Sequence, residues 1–430
     1  MGASELARVA KRSRTLMSTS DRAYVWTWLP GQASPVPAGL VVDVGGRLIF
    51  RYGARFVARD DAIALGPDMP LGHSEIAPSE SLDVLGTLRD ASPDAWGRQV
   101  IDFRRAGALA PTGDVGLAPE LVYMLESDSN RFGALDFQGS SDTYVPRGSL
   151  APLEELVDAQ RRLDEGLPIS EAVERALGHG TTMGGARPKA TLTDGNHEYI
   201  AKFSRQSDPY DVIGAERAAM FLAERAGIDV AKTDVQTVSG KKVLLVRRFD
   251  RGEDGTRRHV VSALTLSGRS EMTARYGTYG QLVARLRRDG VAPQRYGEEL
   301  FRRVALNMAV SNTDDHLRNH AAFWDGARLD LTPAYDISPM PRSGETATQA
   351  IGLGDDPGER SSTFATLLTC ARHYGLGAEP ARAIIEHVVT TVEESWRDAA
   401  DAARLTDAEA RRMRERQILN PGSLHGFRTT

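Results

Sequence analysis

The sequence predicts a two-lobed α+β chain, β-rich toward its N-terminal end and mostly helical toward its C-terminal end, and three observations lead there. Short runs of aromatic and β-branched residues recur through the first 250 positions, broken by glycine-bearing turns. From about residue 262 the apolar residues change to helical spacing. A length of 430 residues, with 41% hydrophobic and 26% charged residues, is enough for two or three cores and excludes a single small binding module.

The elements follow in order. Residues 1–20 carry Arg8, Lys11, Arg12 and Arg14 with no apolar core behind them and read as a flexible basic arm. A strand is expected over 24–28, and a hairpin over 39–44 and 47–52, because Gly45 and Gly46 tolerate the positive φ of a tight turn. Pro93 and Asp94 suit the first turn of a helix. After a helical stretch near 153–177, two more hairpins are predicted. One pairs 189–193 with 197–203 about Asp194 and Gly195; the other pairs 233–238 with 242–249 about Ser239 and Gly240. Between them Ile213, Ala219, Met220 and 222–226 make a helical stripe that Gly227 ends. Leu300, Phe301, Val304, Ala305 and Met308 form a stripe farther on; others fall over 364–371 and 384–392, and Thr406 with Glu409 forms a capping box. The divisions drawn are 1–20, 21–150, 151–250 and 251–430.

Composition narrows the function classes. Cys370 is the single cysteine, which excludes a disulfide framework or a cysteine-rich metal site and fits a reducing, cytoplasmic setting. No run reaches the length of a membrane span. A net charge of -5 gives no general field for nucleic acid.

The residues that carry chemistry lie mainly in the second half. The segment 312–319, NTDDHLRN, directly follows the 300–308 stripe and sets Asp314 and Asn319 in a D-x-x-x-x-N arrangement. Phosphoryl-transfer loops use that spacing: the carboxylate accepts the proton of the attacking hydroxyl and the amide holds a divalent ion. Asp315 misses it by one. A short hairpin about Asp325 and Gly326 then delivers Asp336, the end of LTPAYD (331–336), as a second oxygen ligand. Singly, such aspartates cap or end elements. Helix, loop, hairpin and aspartate in this order point to Asp314 as base and to Asn319 and Asp336 as Mg²⁺ ligands. His316 and His320, four apart, offer a competing metal pair, but they follow a polar loop and lack the glutamate of a zinc-hydrolase helix. His316 is read instead as an active-site or structural histidine.

Upstream, TTMGGARPKAT (181–191) joins Gly184 and Gly185, which let a phosphate approach the backbone, to Arg187 and Lys189. Lys202 ends the strand after that turn, where a kinase keeps its phosphate-contacting lysine, and Glu216 in the next helix is a candidate partner. The stretch 248–251, RFDR, reads as the bridge between lobes, with Arg247, Phe249 and Asp250 placed to meet a nucleotide.

GGARPK (184–189), YIAKF (199–203), RFDR, NTDDHLRN and LTPAYD stand in the order found in the HipA family of bacterial serine/threonine kinase toxins, which the chain resembles. Segments 39–71, 93–98 and 131–135 extend the resemblance upstream. It implies a bilobal protein-kinase-like fold with an extra N-terminal subdomain. It also implies an ATP- and Mg²⁺-dependent serine/threonine protein kinase acting on a housekeeping protein, typically an aminoacyl-tRNA synthetase, so that translation stops and dormancy follows. A HipB-like helix-turn-helix antitoxin would neutralise it and carry the pair to operator DNA. By the same resemblance Asp314 is the base, Asn319 and Asp336 hold Mg²⁺, and Lys202, Lys189, Gly184 and Gly185 contact ATP. Thr181 or Thr182 occupies the place of a silencing autophosphorylation, commonly serine in the family, and Arg318 stands where lysine is frequent. Two alternatives are a small-molecule kinase on the same scaffold and an inactive scaffold for a DNA-binding partner.

Overall fold

The computed structural model of the protein describes residues 21–106, 118–148, 153–164 and 187–427. The basic arm, Thr181, Thr182, Gly184 and Gly185 lie outside the described residues. Strands β1 (Arg22–Thr27), β2 (Val36–Val44), β3 (Arg47–Tyr52) and β4 (Leu135–Gln138) form one antiparallel sheet in the order β3-β2-β1-β4. The β2–β3 hairpin turns where the sequence places it, with Gly45 and Gly46 at φ 64° and 87°. Alternating side chains from this sheet, among them Val25, Val41, Phe50 and Phe137, close a core with Phe56 and Leu88. Helices α1 (Ala95–Ala106) and α2 (Glu120–Glu126) lie in the chain between β3 and β4, held together by a bidentate Arg98–Glu120 pair at 2.7 Å.

The second sheet has the order β5-β6-β8-β7 and is built from the two predicted hairpins, β5 (Lys189–Asp194) with β6 (His197–Phe203) and β7 (Thr233–Val238) with β8 (Lys241–Arg247). Period-two alternation gives it two buried faces. Ala201, Phe203, Val243 and Leu245 pack on helix α3 (Leu153–Asp164), whereas Ile200, Leu244 and Val246 pack toward α4 (Val212–Arg225).

The remaining lobe combines a small sheet with helices. Strands β9 (His259–Ser262), β10 (Ala321–Trp324) and β11 (Leu329–Leu331) pair in the order β11-β10-β9. Helices α5 (Tyr279–Asp289), α6 (Tyr296–Ala309), α7 (Phe364–Thr369), α8 (Ala378–Ala402) and α9 (Asp407–Arg416) make up the rest of this lobe, with α5 packed on β11. The predicted α6 stripe of Leu300, Phe301, Val304, Ala305 and Met308 is fully buried, at about 1.5–3 kcal/mol for each large apolar side chain. The long α8 packs on both α6 and α4, so it braces the helix that covers the second sheet from behind. Thr406 and Glu409 make the expected reciprocal cap. Among the described residues no helix is long and apolar enough to cross a membrane.

Candidate active site

Alternation along β6 also decides where Lys202 points. It shares the face of Ile200, toward α4, and its Nζ donates to Glu216 Oε1 at 2.6 Å. The same ammonium donates to Asp336 Oδ1 at 2.5 Å, so one cation joins a strand, a helix and a loop of the opposite lobe. Burial by itself would favour the neutral amine, but the Asp336 and Glu216 carboxylates outweigh it and raise the lysine pKa. Asp336 moves the other way. Burial pushes its carboxyl up, yet Lys202, then Lys189 and His316, bring it down to about 2.

Asp336 is held in place from two directions. Ala334 N–H donates to the Asp229 carbonyl at 2.7 Å and the Ala334 carbonyl accepts from Ala231 N–H at 2.9 Å, fixing the segment to the turn after α4. Tyr335 Oη donates to the Arg318 carbonyl at 2.7 Å, which ties the residue before Asp336 to the residue before Asn319. Asp336 itself has φ 60°, a left-handed conformation costing a non-glycine residue about 1–2 kcal/mol.

The loop 312–319 is anchored by Asp315, the aspartate the spacing passes over. Its buried carboxylate accepts from Tyr279 Oη, from Asn307 Nδ2 at 2.7 Å and from His320 Nε2 at 2.8 Å. Its neighbour Asp314 is exposed. Although its side chain reaches solvent, crowding by neighbouring protein atoms desolvates it, and this, with Asp336 and Asp315 nearby, raises the Asp314 pKa against the opposing charge of His316. Asn319 is buried and donates Nδ2 to the Asp314 carbonyl at 3.3 Å, so its amide oxygen is the atom left for a cation. An ionised carboxylate and an amide oxygen fit Mg²⁺, which takes few protein oxygens and completes its shell with water and phosphate.

The other predicted residues are distributed unevenly. Lys189 stands opposite Lys202 in the β5–β6 register, and its Nζ lies 2.7 Å from Asp94 Oδ2 with both side chains 4% exposed. It is committed to the N-terminal subdomain rather than presented on an open loop. Asp250 departs most from expectation. It is 0% exposed, and its carboxylate is consumed by Arg248 Nε at 3.0 Å, Arg251 Nη1 at 2.9 Å and Gly133 N–H at 2.7 Å, so it braces the bridge and does not line a nucleotide cleft. Arg247 turns its side chain to His197 and Glu253, both at 3.0 Å, while its N–H donates to the Lys232 carbonyl. Phe249 packs edge-on to Phe132 and Phe323 and tilted on Tyr335, behind Asp336. His316 is half-buried and close enough to Asp314 and Asp336 to act on both electrostatically. His320, the other half of the competing metal pair, is buried on Asp315. Arg318 points away from the cleft, its Nε 2.6 Å from Glu271 and its Nη1 3.9 Å from Asp90. The sequence reading missed Asp94 as the Lys189 partner and the Tyr279–Asn307–His320 clamp; Asp315 itself offered a signal, a second carboxylate beside Asp314 in the 312–319 loop with no assigned work.

The family model for the HipA-like C-terminal domain matches residues 181–396, half of the chain. The chain belongs to that family. Two relatives of this HipA-family chain each share 26% identity. Toxin YjjJ of Escherichia coli (strain K12) matches over 302 residues, 65% of this chain and 65% of that protein. The serine/threonine-protein kinase toxin HipA of Shewanella oneidensis matches over 301 residues, 58% of this chain and 68% of that protein. The match thus spans slightly less than two thirds of the length of the first relative. Among solved structures, Shewanella oneidensis MR-1 HipA, determined with HipB and its operator DNA, is similar with a TM-score of 0.63 at 16% identity, covering 91% of this chain and 94% of that one. That likeness shows the fold, the bilobal kinase-like arrangement expected from the sequence.

Proposed function

We propose that this HipA-family chain is a serine/threonine protein kinase that uses ATP and Mg²⁺, and that it acts as the toxin of a HipBA-like pair. The observation that carries the reading is Lys202, 2.6 Å from Glu216 and 2.5 Å from Asp336, bridging the lobes beside the loop that bears Asp314 and Asn319. A buried triad of this kind is poor value as a source of stability, since desolvating the charges offsets most of their attraction. It is well suited to presenting a fixed cation to a phosphate.

In the proposed reaction, Asp314 takes the proton from the acceptor hydroxyl as its oxygen bonds to phosphorus and the bond to the ADP oxygen breaks. Desolvation and the neighbouring Asp336 and Asp315 raise its pKa, which makes it a stronger base than an ordinary carboxylate. Lys202 holds the phosphates, and Asn319 and Asp336 would hold Mg²⁺, which when bound supplies charge neutralisation on the transferring group. Of the residues expected to contact ATP, Lys202 and His316 remain in the proposal; Lys189 acts through its charge near Asp336, and Gly184 and Gly185, outside the described residues, are kept on the strength of the sequence alone.

The relatives supply the biological part. From the kinase toxin HipA, and from the HipA structure with HipB and operator DNA, we extend to this chain a protein substrate and a HipB-like antitoxin that brings it to DNA; that the substrate is an aminoacyl-tRNA synthetase is our own proposal, carried only by the resemblance of the motifs. Incubation with ATP and Mg²⁺ followed by intact-mass and peptide analysis tests the activity. A single phosphate on Thr181 or Thr182, or on an added synthetase, is expected. Phosphate appearing only on metabolites would refute the protein-kinase reading.

A further inference from the structure

A pocket of about 430 Å³ opens beside the catalytic loop, apart from the Lys202–Asp336 site. Its wall includes Leu317 of that loop, Ser267, Thr278, Arg269, Arg285 and Arg288. None of its lining residues is acidic. Asp289, just outside, pairs with Arg285 at 2.7 Å and with Arg288 at 2.8 Å, and the Arg269 guanidinium donates to the neutral Gln281 at 3.3 Å. Three guanidinium groups against one carboxylate leave the pocket positive.

A neighbouring turn, joined to the pocket through Leu317, presents apolar side chains to solvent. The turn Glu271–Tyr276 carries Met272, 86% exposed, and Tyr276, 45% exposed, while its Glu271 accepts from Arg318 Nε at 2.6 Å. Leu317 lies under the end of that turn, so closely that a Cβ on Gly277 would stand 2.6 Å from Leu317 Cδ1. Because Leu317 follows Asp314 by three residues, their Cα atoms are at most about 11 Å apart. An extended segment with its hydroxyl at Asp314 therefore reaches the pocket within about three or four residues.

We propose that this pocket docks an aspartate or glutamate lying within about four residues of the phosphorylated hydroxyl in a protein substrate. The proposal rests on the kinase reading above and adds the charge of the substrate to it. Clustered arginines recognise acidic motifs through paired hydrogen bonds to each carboxylate. A nucleic-acid strand would also supply anions, but an exposed methionine and tyrosine beside arginines is the chemistry of a protein interface, and the chain's net charge of -5 offers no extended field for a polyanion.

The test is a binding measurement that needs no turnover. Fluorescence anisotropy on the full chain compares a labelled peptide bearing a central serine followed by glutamates, its lysine counterpart, and a labelled single-stranded oligonucleotide, each with the wild type and with Arg269→Ala/Arg288→Ala. The glutamate peptide should bind preferentially, and the double variant should weaken it about tenfold, with thermal melting showing both proteins folded. Equal binding of the lysine peptide, an unaffected double variant, or an oligonucleotide that outcompetes the peptide and is lost in the variant would each overturn the proposal. Phosphoryl transfer is assayed on the same peptides. If the glutamate peptide binds through these arginines but no acceptor is ever phosphorylated, the docking site stands and the kinase reading fails.

Discussion

Replacing Lys202 with methionine tests the central triad through stability as well as activity. The substitution keeps the length of the side chain and removes the charge between Glu216, 3% exposed, and Asp336. From the Asp336 side, a carboxyl lowered from 3.8 to about 2 contributes about 2 kcal/mol. That contribution is present above the unfolded value of 3.8 and is lost as pH falls through about 2. The variant also leaves Glu216 buried with no cation, so the total loss should be about 3–5 kcal/mol at neutral pH. Adding Glu216→Gln removes the stranded charge and should recover a substantial part of that loss while transfer remains absent. Urea unfolding of wild type, single and double variants at pH 7, repeated between pH 4 and pH 2 for the wild type, measures each term. A single variant as stable as wild type, with no recovery in the double, would refute the triad as described.

Other expectations concern the loop and the joint between subdomains. Asp314→Asn should lower the turnover rate by at least about a thousandfold while nucleotide affinity measured by titration stays close to wild type. In the wild type, kcat/KM should fall on the acid side, with its midpoint above that of a free aspartate, because Asp314 must be ionised to accept a proton and its pKa is raised; an acid limb that is unchanged by substituting the neighbouring Asp336 and His316, or absent, would contradict its role. Asp315→Ala strands the Tyr279, Asn307 and His320 donors and should cost about 3 kcal/mol in denaturant unfolding, with activity falling alongside. His259, buried beside Thr27 and the Trp28 carbonyl, is held neutral with its pKa lowered from 6.5 to about 4. The unfolded chain binds that proton first, so stability should fall by about 3 kcal/mol as pH drops from 6.5 to 4, and His259→Gln should flatten that slope.

What the sequence showed depended on how local each determinant is. The hairpins about Gly45–Gly46 and Ser239–Gly240 were readable because the turn residues themselves take the positive φ, including Ser239 at 51°. The α6 stripe and the Thr406 cap were readable for the same reason. Strands β4 and β9 were not: each has four residues, and β4 buries Asp136, whose charge is met by Arg131 and by Arg147. At the site, the order Asp314, Asn319, Asp336 was legible as spacing, and Lys202 with Glu216 as strand and helix neighbours. The job of Asp250 was hidden, because its decisive partner Gly133 N–H is 117 residues away. Asp94 and Lys189 meet at a similar remove, and nothing near either one announces the other.

The packing of α8 behind α4 has a consequence for control. A glutamate-bearing helix that rests only on its sheet can swing outward and disconnect its lysine, giving a cell a built-in off position. Here the twenty-five-residue α8 backs that helix from the opposite lobe, and disconnecting Glu216 would mean unseating an interface shared with α6. Control that leaves this interface intact would act on access to the Lys202–Asp336 cleft rather than on the position of Glu216.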